Sequence, residues 1–212
     1  MTGFEPLSVW PVAQVPARFQ RRGRYLPEST AHPGKMLPEL ARTAIRRYSE
    51  PGELVVDPMC GIGTTLVEAI HLGRRAIGIE LEPRWVSAAA ANVLHAQEQG
   101  AREKAIVVRG DARQVGRDLL DELSGKVALV LTSPPYGPSV HGHVRLRPQG
   151  VETFDDRYSE NPENLAHLPQ RKARGARPSF LVALAEIIDG CRRLLAPGGR
   201  LVLTARPYAK AL

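Results

Sequence analysis

Residues 54–65 of the chain read Leu-Val-Val-Asp-Pro-Met-Cys-Gly-Ile-Gly-Thr-Thr, and this stretch decides the fold. The apolar run at 54–56 is typical of a buried strand, and a helical pattern over residues 66–72 follows the two threonines. Between strand and helix, Gly61 and Gly63 form a turn whose backbone can approach a ligand closely. This order of elements is the cofactor-binding unit of doubly wound α/β proteins.

The acidic residues after the predicted strands indicate the class of cofactor. The third glycine of the dinucleotide fingerprint is missing, and Asp57 lies where a pyrophosphate would be repelled but an ammonium group favoured. Both features favour a cofactor of cationic amino-acid type over NAD. Glu80 ends the second predicted strand, where an acidic side chain can bind ribose hydroxyls. Asp111 ends the third, where it can accept from an adenine amino group or cap the helix predicted over residues 112–123.

A second stretch with chemical character is Thr132-Ser133-Pro134-Pro135-Tyr136, which follows the apolar run 127–131. The run predicts a buried parallel strand, and its carboxyl end is the edge where ligands bind in such sheets. Ser133 and the rigid prolines offer polar acceptors beside the aromatic ring of Tyr136. That set suits a flat nitrogen heterocycle held by its exocyclic amine. Taken alone, a Pro-Pro pair is more often a plain turn.

Composition predicts one globular domain that binds an anionic partner. The 212 residues are 43% hydrophobic and 24% charged, which is enough for a sizeable core. A net charge of +7 favours nucleic acid as that partner. We expect no membrane span and no signal peptide, hence a cytoplasmic protein. Cys60 and Cys191 lack metal-ligand spacing, so we expect reduced thiols and no metal site.

The chain divides into an arm and a catalytic domain. Residues 1–31 are predicted to be an extended arm, in which arginines (Arg18, Arg21, Arg22 and Arg24) alternate with aromatic residues (Phe4, Trp10, Phe19 and Tyr25). This arm either contacts phosphates and bases or packs onto the domain through its aromatic rings. Residues 32–212 form the domain, in which the segment 137–178 is predicted to be an irregular loop that closes over the target.

The ordered motifs resemble a known family. DPMCGIGTT at 57–65, Glu80, the pair Gly110-Asp111 and TSPPY together resemble S-adenosylmethionine-dependent amino-methyltransferases of nucleic acids. The resemblance implies a Rossmann-like, doubly wound, mainly parallel sheet (the class I methyltransferase fold) and S-adenosylmethionine as cofactor. Family members continue through two further strands. The C-terminal strands are therefore expected to be missing, as in a truncated chain, a natural fragment or a minimal variant.

The same resemblance implies roles for particular residues. Ser133 and the Pro134 carbonyl would accept hydrogen bonds from the target amine, beside Pro135, and Tyr136 would stack on the extruded base. The implied cofactor-binding residues are His32, Lys35, Asp57, Met59, Cys60, Gly61, Gly63, Thr64, Thr65, Glu80, Leu81, Asp111 and Ala112. The basic residues expected to contact nucleic acid in the loop are Arg145, Arg147, Arg171, Lys172 and Arg174.

Several functions agree with these motifs. TSPPY is most like the DNA cytosine-N4 enzymes, so methylation of cytosine N4 in DNA is the leading prediction. DPMCGIGT is also similar to tRNA guanine-N2 methyltransferases, which makes guanine N2 in tRNA (or adenine N6) the alternative. A non-catalytic nucleic-acid-binding module and a small-molecule N-methyltransferase are further alternatives. Carbon-5 methylation of cytosine is disfavoured because it needs a nucleophilic thiol, and both cysteines are predicted to be structural.

Overall fold

The computed structural model describes residues 9–115, 119–135, 143–147, 150–154, 159, 161–169 and 178–205. The N-terminal half of these contains α1 (Ala17–Arg21), a 3-10 helix (Pro27–Ala31), α2 (Pro38–Tyr48), β1 (Leu54–Asp57), α3 (Thr64–His71), β2 (Arg75–Glu80), α4 (Pro83–Glu98) and β3 (Ala105–Arg109). The remainder contains 3-10 turns (Ala112–Gln114 and Leu165–His167), α5 (Leu120–Leu123), β4 (Val127–Thr132), β5 (His143–Arg147), β6 (Gly150–Phe154), α6 (Phe180–Leu194) and β7 (Leu195–Leu203).

Five parallel strands form the central sheet, in the order β3-β2-β1-β4-β7. The doubly wound parallel α/β fold predicted from the sequence is therefore confirmed. β7 lies beside β4, where the right-handed crossover rule places it. The strand order reverses between β1 and β4, and the crevice outside their carboxyl ends is the place where such sheets bind ligands.

Helices cover both faces of the sheet. β1 and β4 are buried at every position, which explains their continuous apolar sequences. On one face α2, α3 and α4 contribute Ile45, Leu66 and Val93 to the core. On the other face α6 packs Ile187 against the sheet. Among the residues described, no helix has both the length and the apolar character needed to cross a bilayer.

The structure departs from the sequence-based expectations in three segments. The arm is not extended throughout, because it contains α1 and a 3-10 helix. The helix predicted over residues 112–123 consists of a 3-10 turn and the short α5, with residues 116–118 outside the described ranges. The segment 137–178 is not wholly irregular either, since β5 and β6 pair as an antiparallel hairpin. The sequence of β5 (His-Val-Arg-Leu-Arg) alternates apolar and polar residues, which is the strand period.

Candidate active site

A cavity lies at the carboxyl ends of β1 and β4. Its lining residues are His32, Gly34, Lys35, Met36, Asp57, Met59, Cys60, Gly61, Ile62, Thr64, Thr65 and Ser133. The cavity thus brings together the segment before α2, the glycine-rich turn and the first residue after β4. Of the predicted cofactor residues, this lining omits Gly63, Glu80, Leu81, Asp111 and Ala112.

Asp57 is a buried carboxylate at the end of β1. It accepts hydrogen bonds from Thr65 Oγ1 at 2.6 Å and from the backbone N–H of Met59 at 3.1 Å. Burial raises the pKa of Asp57 to about 6, and these hydrogen bonds only partly oppose the effect. Because its partners are neutral, a cation bound in the cavity would stabilise the ionised form.

Glu80 holds the glycine-rich turn in place. One carboxylate oxygen accepts from the Gly61 N–H and the other from the Glu82 N–H, both at 2.9 Å. Burial raises the pKa of Glu80 to about 7. Glu80 therefore shapes the backbone of the turn, and its predicted ribose contact stays a prediction. Leu81, which follows it, is half-buried.

His32 packs directly on the turn. Gly61 has φ +52°, and a Cβ added there would lie 2.9 Å from His32 Nε2, so only glycine fits beneath the ring. The imidazole meets Trp85 edge-on with the ring centroids 4.5 Å apart. Burial lowers the pKa of His32 to about 3, so the ring is neutral at physiological pH. His32 thus acts as an uncharged wall of the cavity.

Lys35 and Asp111 lie at two further predicted positions. Lys35 Nζ donates to the carbonyl groups of Thr30, at 3.0 Å, and His32. Asp111 caps the following 3-10 turn by accepting from the Arg113 N–H at 2.9 Å, and it also pairs with the Arg113 guanidinium. The capping alternative for Asp111 is confirmed, whereas its adenine contact stays a prediction. Ala112, next to it, is buried.

The target end of the site begins where β4 ends. Ser133 lines the cavity, Pro134 is buried and Pro135 is half-buried. The carbonyl group of Thr132 accepts from the Thr204 N–H at 2.9 Å, so β7 fixes the strand just before Ser133. Tyr136 lies outside the described residues. The structure therefore brings Ser133 to the cofactor turn, while the acceptor roles of Ser133 and Pro134 stay predictions.

The predicted nucleic-acid contacts fall largely outside the described part of the chain. Arg171, Lys172 and Arg174 lie there, and Arg145 and Arg147 are placed only as backbone positions of β5. In the arm, the basic residues differ in their exposure to solvent. Arg18 and Arg22 are exposed, whereas Arg21 is buried and Arg24 binds Glu68.

Sequence reasoning missed the residues that fix the arm to the site. Glu68 on α3 is buried and accepts from Arg24, from Arg42 at 2.8 Å and from the Tyr25 hydroxyl at 2.6 Å. We call these four residues the Glu68 clamp. The signal available in the sequence was an acidic residue inside the apolar stretch Leu-Val-Glu-Ala-Ile (66–70).

Asn92 was missed as well. It is buried on α4, where its Oδ1 accepts from the Leu26 N–H at 3.0 Å and its Nδ2 donates to the Ile62 carbonyl at 2.9 Å. This amide therefore connects the arm to the glycine-rich turn. An asparagine in an Ala-rich helix is the corresponding signal in the sequence.

Ser159 and residues 161–169 lie beside the residues that follow β2 and β3. Ser159 donates to the buried Glu82 carboxylate, and Glu163 pairs with Arg113 at 3.0 Å. Leu165 and Leu168 are buried in the core beneath α6. Part of the predicted target-binding loop is therefore anchored beside the residues that follow β2 and β3.

The cysteines and the acidic residues offer no competing chemistry in this part of the molecule. Burial raises the pKa of Cys191 to about 12 and that of Cys60 well above its usual value, so both thiols are protonated. Within the described ranges, no cluster of three His, Cys, Asp or Glu side chains could hold a metal ion.

The charges around the cavity fit the amino-acid end of a sulfonium cofactor. Asp57 offers a carboxylate to an ammonium group, and Lys35, whose Nζ already donates to two carbonyl groups, adds positive charge to the lining. The His32 ring can pack on Gly61, and so form this wall of the cavity, only because that residue has no Cβ. The fold and the charges of this cavity indicate an S-adenosylmethionine-dependent methyltransferase of the α/β class.

Comparison with known proteins gives a partial match to one family. Residues 2–91, less than half of the chain, match the family model for DNA methylases of the N6 and N4 type. This part of the chain is thus similar to a family whose cofactor is S-adenosylmethionine. Among solved structures, it resembles the precorrin 8w decarboxylase of Methanobacterium thermoautotrophicum, with a TM-score of 0.50, 20% identity and coverage of 87% of this chain and 70% of that one. At this identity, the match concerns the fold alone.

Curated relatives include enzymes for nucleic acids and for a small molecule. A tRNA (guanine(10)-N2)-dimethyltransferase of Methanocaldococcus jannaschii is 41% identical over 112 residues, which are 51% of this chain and 30% of that protein. A 4-amino-L-phenylalanine/4-methylamino-L-phenylalanine methyltransferase of Streptomyces pristinaespiralis is 36% identical over 192 residues, which are 84% of this chain and 56% of that protein. The type II methyltransferase M.XycI of Xanthomonas campestris pv. cyanopsidis is 41% identical over 64 residues, or 30% and 21%. The chain thus spans about a third to about half of the length of the first two relatives.

Proposed function

We propose that this protein transfers a methyl group from S-adenosylmethionine to an exocyclic amino group of a nucleic-acid base, with guanine N2 in tRNA as the first candidate. The observation that carries the proposal is the shared cavity, in which Ser133 faces the same space as Asp57, Gly61 and the threonines of α3. A methyl acceptor held by Ser133 and a methyl donor held by the turn would therefore meet.

The chemistry asks little of the protein beyond positioning. The cofactor supplies an electrophilic methyl group on a sulfonium centre. A ring-bound amine is a weak nucleophile because its lone pair is delocalised into the ring. Acceptors such as the Ser133 hydroxyl and the Pro134 carbonyl would take hydrogen bonds from its N–H groups and leave the lone pair directed at the methyl group. Holding the two reactants in line supplies most of the rate enhancement.

The choice of base rests on the relatives and on Ser133. The identity to the tRNA enzyme extends over half of this chain and supports guanine N2. Ser133 supports cytosine N4, the target favoured from the sequence, but the type II DNA methyltransferase matches a shorter segment. We therefore place guanine N2 in tRNA before cytosine N4 in DNA.

A free aromatic amine is the second candidate. It is favoured because the aminophenylalanine enzyme matches 84% of this chain. An aniline nitrogen and an exocyclic base nitrogen have the same electronic character, so the same acceptors would serve both. What separates the two substrates is size and charge, since tRNA requires phosphate contacts and an amino acid does not.

The test is methyl transfer from labelled S-adenosylmethionine to tRNA, to DNA and to 4-aminophenylalanine in parallel. Nucleic-acid products are digested and identified by mass spectrometry. We expect N2-methylguanine from tRNA and a loss of at least tenfold in kcat for Ser133→Ala with cofactor affinity unchanged. Thr204→Ser, which keeps the backbone bond to Thr132, is the matched control. N4-methylcytosine would move the target to DNA, and a methylated amino acid alone would contradict the nucleic-acid proposal.

A further inference from the structure

Arg21 on α1 is buried behind the wall of the cavity: it is not itself a lining residue, but it contacts two residues that are. Its exposed fraction is 9%, which is low for an arginine of a basic arm. Nη2 donates to the Met36 carbonyl, and Nη1 and Nη2 lie 3.4 and 3.3 Å from Thr64 Oγ1. Both partners, Met36 and Thr64, line the cavity. The guanidinium therefore borders the candidate cofactor site from the side of the arm.

The charge of Arg21 lacks a full counter-ion among the described residues. Its Nε is buried and has no hydrogen-bond partner in that part of the chain. The partners of its Nη atoms are neutral, and the Tyr25 ring lies 4.7 Å from the guanidinium carbon. The nearby Glu68 carboxylate is already bound by two other arginines. Burial accordingly lowers the pKa of Arg21, which records the cost of a desolvated cation.

The start of α3 adds positive potential at the same place. Thr64 is the first residue of this helix, and the preceding Gly63 has no side chain with which to cap it. The first N–H groups of a helix lack intrahelical acceptors and attract anions. Thr64 Oγ1 accepts from Arg21, so its hydroxyl group can still donate a hydrogen bond to a bound anion. An anion bound here would meet a guanidinium, a hydroxyl and a helix N-terminus together.

We propose that Arg21 and Thr64 bind the carboxylate of the cofactor's amino-acid end, which makes α1 of the arm part of the cofactor site. The inference rests on the proposed function and deepens it. Asp57 supplies the opposite charge for the ammonium group of the same ligand. The arm is then a component of the methyl-donor site rather than a nucleic-acid contact alone.

Two ligands that differ by the amino-acid group test this directly. S-adenosylhomocysteine carries the carboxylate, whereas 5′-methylthioadenosine keeps the nucleoside and the sulfur but has no amino-acid group. Binding of both is measured by calorimetry for the wild type, Arg21→Gln and Arg22→Gln. We expect Arg21→Gln to lower the affinity for S-adenosylhomocysteine roughly 10- to 100-fold, because a charged hydrogen bond is lost. The affinity for methylthioadenosine should fall less than twofold. Arg22, the exposed neighbour, is the matched control and should change neither.

Other outcomes overturn the proposal. If Arg21→Gln weakens both ligands equally, Arg21 only supports the fold. If S-adenosylhomocysteine affinity is unchanged, no carboxylate contact exists. Should Arg21→Gln not fold, Arg21→Lys keeps the charge and should still weaken S-adenosylhomocysteine selectively, and an equal loss of both ligands again refutes the contact. A wild-type protein that binds neither ligand would refute the proposed function, and this proposal with it.

Discussion

The Glu68 clamp and the cofactor edge of the sheet both contain buried carboxylates, but with different partners. Burial opposes ionisation of Glu68, yet hydrogen bonds from Arg24, Arg42 and Tyr25 outweigh it and lower its pKa. Asp57 and Glu80 accept only from neutral groups, and their pKa values are raised to about 6 and about 7. The clamp carboxylate is therefore compensated within the protein, whereas the edge carboxylates gain most from a cation that arrives with a ligand.

The largest effect should come from breaking the clamp. Glu68→Gln leaves two arginines without their carboxylate, so we expect the free energy of unfolding to fall by about 3–5 kcal/mol, as for other broken buried ion pairs. Urea denaturation measures the change. Glu39→Gln is the control, because Glu39 pairs with the same Arg42 from a partly exposed position and should cost less than about 1 kcal/mol. Equal losses for the two variants would contradict the distinction.

Asp57→Asn should have the opposite effect on stability: it should raise the free energy of unfolding. The folded-state pKa of about 6 exceeds the ordinary value of 3.8, so ionised Asp57 destabilises the protein as pH rises through this window. Asparagine does not titrate. We therefore expect the variant to gain stability over the wild type between pH 4 and pH 8, by about 2–3 kcal/mol, while it loses affinity for S-adenosylhomocysteine. Thermal unfolding across this range tests the trend, with Asp189→Asn on the exposed face of α6 as the control at an exposed carboxylate. A pH-independent difference would contradict the raised pKa.

A smaller difference in stability is expected between the alanine variants of two glycines. Gly61 and Gly52 both have positive φ, but a Cβ on Gly61 meets His32, whereas a Cβ on Gly52 meets nothing within 4 Å. Alanine at either position carries backbone strain of about 1–2 kcal/mol. We expect Gly61→Ala to cost about 1 kcal/mol more through the steric conflict, and it alone should weaken cofactor binding. Chemical denaturation and calorimetry of both variants measure this, and identical profiles would contradict the packing of His32 on the turn.

The sequence was sufficient to predict the central sheet and the glycine-rich turn of the site. Continuous apolar runs located β1 and β4, and the glycines located the turn, because these features depend on local pattern. β5 and β6 were missed, although the alternation of β5 is visible, since a long stretch rich in charge and proline was read as a loop. The 3-10 turn after Asp111 was read as part of a longer helix for the opposite reason, an overestimate of local propensity.

The contacts of the arm could not be predicted in the same way. Arg21 and Arg22 are neighbours with the same side chain, yet one is buried and the other exposed. Which of them is buried depends on Met36 and on Thr64 of α3, which lie 15 and 43 residues further along the chain. Glu80 shows the same limit: its position after β2 was predicted, but its bonds to Gly61 and Glu82 require the folded turn.

The contacts of the arm also set a time order for folding. Arg21 meets Thr64 across 43 residues of sequence, and Leu26 meets Asn92 across 66. Closing the longer loop costs only about 0.4 kcal/mol more in entropy than closing the shorter one. The order in which the two contacts form is therefore set by the order in which their residues are synthesised. At about 5–20 residues per second, a ribosome makes Asn92 roughly 3–13 seconds after Leu26. Tyr25 gains its clamp partner sooner, because Glu68 follows it after 43 residues, or roughly 2–9 seconds of synthesis. Until then, the buried position of this ring in the clamp does not exist.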